Sequence, residues 1–163
     1  ITSRLVGSEM CIRDRYKTLQ LMAEGEVAVE INLTSNDVIL GVSGKDHPIS
    51  IYLENSVPIT ISTDDEGVSR INLTHEYQRA VETFDLAYET IKTISRNALQ
   101  YSFLPGSSLF QNTMDGSLDN ECRKGLPQDL EDRSNCSDFI LQSEKALMQW
   151  QLEKNFTTFE ANF

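Results

Sequence analysis

The chain has 163 residues, of which 39% are hydrophobic and 24% charged, a balance that can bury one modest core. Its net charge of −11 excludes a basic nucleic-acid-binding surface, because phosphate recognition needs clustered Lys and Arg, but it is compatible with a cation site. No apolar run approaches the roughly 18 residues of a transmembrane helix, so no membrane partner is expected.

Residues 1–15 (ITSRLVGSEMCIRDR) have scattered basic residues and no apolar stretch of signal-peptide length. The segment resembles translated sequencing-adapter read-through and is expected to be foreign to the native fold. Thr18–Glu24 reads as the end of a helix, closed by Gly25. Val27, Ala28, Val29, Ile31 and Leu33 form a β-branched run ending at Thr34-Ser35-Asn36, which suits a short buried strand. His47-Pro48 opens a second helix, since proline suits a first helical turn, with Ile49, Tyr52 and Leu53 at helical spacing. Val57–Ser62 reads as another strand with Pro58 at its start, followed by Thr63-Asp64-Asp65.

Leu73, Tyr77, Ala80, Val81 and Phe84 mark one face of a helix. Asp85 is expected to cap the next, whose stripe is Tyr88, Ile91, Ile94, Ala98 and Leu99 and which stops at Pro105-Gly106. Residues 107–138, rich in Asn, Asp, Ser and helix breakers, read as an irregular surface excursion. Residues 139–163 read as one helix with Leu141, Met148, Leu152, Phe156 and Phe159 on one face.

Alternation of strands and helices argues an α/β fold with parallel strands. Two strands are a poor parallel sheet, however, because such sheets normally continue to either side and are covered on both faces. Either the fold is unusual or the chain is part of something larger. Thr63-Asp64-Asp65 is the strongest local feature, because α/β folds gather ligands beyond the carboxyl ends of their strands. Adjacent carboxylates at a strand end point in different directions, so one can ligate a metal while the other binds a substrate nitrogen. The bland alternative is an Asx turn or a helix cap.

The run from Gly25 to Leu104 resembles the C-terminal part of the adenosine deaminase family of the amidohydrolase superfamily. The matching pieces are Val29-Glu30-Ile31-Asn32-Leu33-Thr34-Ser35-Asn36, His47-Pro48, PITISTDD at Pro58–Asp65, Glu76-Tyr77, and NALQYSFL at Asn97–Leu104. The resemblance implies a (β/α)8 barrel that removes the 6-amino group of adenosine with zinc, giving inosine and ammonia. Asp64 then matches the catalytic, zinc-ligating aspartate, Asp65 the aspartate that binds the purine, and Ser35-Asn36 the mouth of the pocket. The remaining zinc histidines and the acid and base of that family lie upstream of the matching region. His47 and His75 are not expected to replace them.

Cys122 and Cys136 lack metal-site spacing and are either a local disulfide or two separate thiols. The tail, YSFLPGSSLF and EKALMQWQLEKNFTTFEANF, resembles the secreted branch of the family, the adenosine deaminase-related growth factors and their bacterial relatives. That likeness favours the disulfide and a secreted or periplasmic location. Asn32-Leu33-Thr34 and Asn72-Leu73-Thr74 fit a weak glycosylation sequon.

A whole (β/α)8 barrel takes about 250 residues. The expectation is therefore the last two βα units of a TIM barrel plus C-terminal helices, with the barrel part at 16–106, the irregular loop at 107–138 and the terminal helix at 139–163. The parent protein would be a zinc-dependent deaminase of a small-molecule purine nucleoside, and the chain alone would be inactive. The alternatives are a non-catalytic secreted binding or growth-factor-like module, and a deaminase of another purine such as adenine.

Overall fold

The computed structural model describes residues 15–162. The resemblance to adapter read-through concerns residues that lie, but for residue 15, outside them. Two compact units divide between Ile94 and Ser95.

In the first unit, helix α1 covers residues 15–24. Strand β1 (Val29–Ile31) pairs in parallel with β2 (Ile59–Ile61), with Val29 opposite Ile59 and Ile31 opposite Ile61. Between them run α2 (Leu33–Leu40), a 3-10 turn at Gly44–Asp46, and α3 (Ile49–Glu54). A parallel pair requires such a crossover, because the chain must return to the sheet's starting edge. Pro58 precedes β2 and contributes only its carbonyl, which accepts from Val29 N at 2.9 Å. After β2 come α4 (Glu66–Ser69), α5 (Leu73–Phe84) and α6 (Tyr88–Gln100), the last crossing the boundary between the units.

The core of this unit joins Ile31, Leu33, Ile49, Ile59, Ile61, Ala80 and Ile94. Ile59 and Ile61 face it from β2 while Thr60 between them is half-buried, and Glu30 on β1 is exposed. The strands are thus packed on one face only, not on both as a buried-strand reading of β1 predicts. β1 is also shorter than its apolar run: Leu33-Thr34-Ser35 turns inward as the start of α2 and is buried there. Asp85 does not open α6 but closes α5 in the left-handed region at φ 52°, and the start of α5 is capped by Asn72, whose side chain accepts from His75 N at 2.9 Å.

The second unit has its own core of Leu109, Phe110, Cys122, Cys136, Ile140 and Ala146. Residues 107–138 are loop-rich but not a surface excursion. They form the antiparallel pair β3 (Phe110–Asn112) and β4 (Ser117–Leu118), and Leu109 is fully buried. A disulfide joins Cys122 to Cys136, fastening this segment to α7 (Asn135–Leu141). The final helix is in fact two, α7 and α8 (Glu144–Glu160), separated at Ser143. Ser143 Oγ accepts from Ala146 N at 3.1 Å as the cap of α8 and donates to the Ser107 carbonyl at 2.6 Å. Gly106 packs on this corner at φ +101°, and a Cβ there would sit 2.4 Å from Ser143 Oγ, so only glycine fits.

The break rotates the buried face. Ala146 and Gln149 point inward, whereas Leu141, Met148 and Phe159 are 57%, 44% and 51% exposed. Gln149 accepts from Leu109 N at 2.7 Å and donates to Gln100 Oε1 at 3.0 Å, so this buried amide is satisfied. Arg96 grips both oxygens of Glu153, at 2.7 and 2.8 Å, with its guanidinium over the Phe110 ring. Among the described residues no helix is long and apolar enough to cross a membrane.

Candidate active site

The parallel pairing brings the carboxyl ends of β1 and β2 side by side, and the polar residues of both gather there. Ser62, just past β2, donates to Glu30 Oε1 at 2.5 Å and accepts from the Asn32 amide at 2.7 Å. Two residues further on, Asp64 occupies the left-handed region at φ 49°, a conformation that Asp adopts more readily than most residues and that is often found at functional sites. Its carboxylate is tied across to the first turn of α2, which follows the other strand, with Ser35 Oγ donating to Asp64 Oδ2 at 2.7 Å. Ser35 is buried while Asp64 is exposed, so the carboxylate is held from below and open to solvent.

Asp65 is exposed and precedes α4, but its side chain does not cap that helix. Its carboxylate is therefore not consumed by local structure. Asp64 and Asp65 both lie past the end of β2, where the chain bends through the left-handed region before α4, so they do not alternate along a strand.

The structure brings neither histidine into this cluster's hydrogen bonds. His47 is buried against Phe84, and its Nδ1 accepts from Ile49 N at 3.2 Å at the start of α3. Burial, and then the nearby Arg79 charge, push its pKa below the usual 6.5. His75 is exposed on the first turn of α5.

Behind Ser35 lies a buried polar cluster that sequence reasoning missed. Glu76 on α5 is fully buried and accepts from Thr34 N at 3.2 Å and from the Thr34 hydroxyl. Arg79 donates to that same hydroxyl at 3.1 Å and pairs with Asp37, lowering the Asp37 pKa chiefly by this hydrogen bond. A signal was present: Glu76 lies four residues before Ala80 on the buried side of an amphipathic helix, where a carboxylate needs dedicated partners.

The adenosine deaminase family model matches residues 6–111, more than half of the chain. The chain belongs to the adenosine deaminase family. Among its relatives, the adenosine deaminase of Clostridium perfringens (strain 13 / Type A) is 33% identical over 99 residues, covering 60% of this chain and 30% of that protein. The adenosine deaminase of Aliivibrio fischeri (strain ATCC 700601 / ES114) is 35% identical over 92 residues, 56% of this chain and 28% of its own length. That of Escherichia coli (strain SE11) is 34% identical over 94 residues, 57% and 28% respectively. The chain thus spans less than a third of the length of these curated adenosine deaminases. The matched residues hold all of β1, β2 and the Ser35–Asp64 pair.

Proposed function

We propose that this chain forms the last two βα units and C-terminal helices of a zinc-dependent adenosine deaminase barrel. The observation that carries the reading is Asp64, held just past the end of one strand by Ser35 from the helix that follows its neighbour, in a chain of this family. Two further features support a larger sheet. The strands are paired with each other alone among the described residues, and Val38, Ile39 and Leu40 stand exposed as an apolar run of the kind that free surfaces seldom carry.

The donor set of the described residues bears on how zinc would be held. Among the described residues no three His, Cys, Asp or Glu gather as a metal cluster, whereas a catalytic zinc takes three protein ligands. Asp64 fits as one ligand, and the others come from elsewhere in the full-length protein. Bound zinc supplies a water whose pKa is lowered to near neutrality, a nucleophile for the purine carbon bearing the amino group. The residues of this chain hold and orient: Asp64 presents a carboxylate fixed by Ser35, and Asp65 anchors the ring through an acceptor that no helix cap occupies. The substrate is a small-molecule purine nucleoside, and the chain alone neither binds zinc tightly nor deaminates. The Cys122–Cys136 disulfide supports a secreted or periplasmic location, since oxidising compartments maintain such bonds.

In the full-length protein, Asp64→Ala is expected to strip zinc and lower turnover by orders of magnitude. Zinc content and activity left intact would overturn the assignment. Asp65→Ala is expected to keep zinc and to raise KM about ten- to a hundredfold, the worth of a charged hydrogen bond.

A further inference from the structure

Helix α2 begins with a deficit. Its first-turn N–H groups lack helical partners, Asn32 in the cap position makes no side-chain cap bond, and Leu33, Thr34 and Ser35 are buried away from solvent. The missing acceptor comes from a distant helix: Glu76 on α5 takes the Thr34 N–H at 3.2 Å together with the Thr34 hydroxyl. A carboxylate at a helix N-terminus is favoured by the helix dipole, which offsets part of the burial cost. Arg79, one turn further along α5, donates to the same hydroxyl at 3.1 Å and pairs with Asp37, also on α2. Helix α5 therefore grips α2 at its start and near its middle. The next residue after Thr34 is Ser35, which donates to Asp64 Oδ2 at 2.7 Å. No other hydrogen bond to the Asp64 carboxylate exists among the described residues.

We propose that Glu76 is a positioning residue for Asp64, acting through the first turn of α2: it locks Thr34, so that the adjacent Ser35 hydroxyl aims at Oδ2 and fixes the direction of the carboxylate. Glu76 is itself fully buried and bonded to Thr34, so it acts through Thr34 and Ser35 rather than by touching the metal or the purine. The proposal rests on Asp64 being a zinc ligand. Groups that orient a ligand in this way commonly carry ten- to a hundredfold of metal affinity, about what the ligand geometry is worth.

The test is zinc affinity of the full-length protein by chelator competition, with the thermal midpoint of the metal-free form measured alongside. Glu76→Gln keeps the shape but turns one acceptor into a donor facing Thr34. It is expected to weaken zinc binding about tenfold or more. Ser35→Ala should weaken it to the same order, and the double variant should be no worse than the worse single, because both act through one chain of contacts. A folded Glu76→Gln protein with unchanged zinc affinity overturns the proposal, as do losses that multiply in the double variant. Asp64→Ala separates this proposal from the reading beneath it. If Asp64→Ala leaves zinc affinity unchanged, the ligand assignment itself falls. If it abolishes zinc binding while Glu76→Gln does nothing, only the positioning role falls. Should Glu76→Gln not fold, Thr34→Val removes the hydroxyl and keeps the backbone bond. A smaller loss of zinc affinity in the same direction supports the role, and no loss overturns it.

Discussion

His47 carries two constraints in one ring. Its Nδ1 must stay unprotonated to accept from Ile49 N, and burial beside Phe84 and Arg79 opposes a charge on it. The folded-state pKa therefore lies below 6.5, so the unfolded chain binds the proton more readily than the folded one. The stability this ring contributes is complete above pH 6.5 and is lost as pH falls from there through the lower folded-state pKa. In the full-length protein the urea midpoint should fall across that window, and His47→Gln should flatten the fall. A pH profile identical in the two proteins would contradict the mechanism. At the same scale, Asp64 and Asp65 were legible as candidates because two carboxylates after a β-branched run are conspicuous. Ser35 as the holder of Asp64 was not, because its partner is 29 residues away and the bond exists only once β1 and β2 are paired.

Elements were legible where their signals are local. Helix α5 follows its stripe in part: Ala80 and half-buried Tyr77 and Phe84 fall on the side that meets the core, whereas Leu73 and Val81 are exposed. Helix α2 was hidden, since Thr34-Ser35-Asn36 are turn-forming residues whose helix is capped from α5, 42 positions on in sequence. Helix α8 departs from the apolar periodicity for a related reason. Ser143 stops one helix and starts the next, and the new phase turns Gln149 inward and Met148 outward. Ser143 thus caps α8 and also ties it to Ser107. Replacing it by Ala should cost about 1–2 kcal/mol, the range of an N-cap, read from denaturant unfolding of the full-length protein. Faster hydrogen exchange at Ala146 and Leu147 should accompany it. A cost confined to a few tenths would assign the corner to Gly106 and backbone packing alone.

Over the whole molecule, the second unit relies on few large apolar side chains, and covalent and polar ties supplement them. The Cys122–Cys136 bridge closes a loop of sequence separation 14, and Trp150 and Lys154 on α8 donate to the carbonyls of Pro127 and Gln128. Replacing both cysteines by Ser should destabilise this unit by about 3 kcal/mol, the chain-entropy worth of a loop that size. Limited proteolysis should then cut within 119–135 while the first unit stays protected. Equal protection with and without the bridge would show that packing alone suffices.

The amino-acid sequence by itself determined the strand–helix alternation, the strand-end carboxylates and the family, because apolar periodicity and short ordered motifs are properties of neighbouring residues. Only the tertiary structure decided which side chains hold which. The cap of α2, the anchor of Asp64 and the buried face of α8 each depend on groups far apart in the chain, brought together by parallel strand pairing and by core packing. A buried carboxylate such as Glu76 is tolerable only when those distant donors are in place.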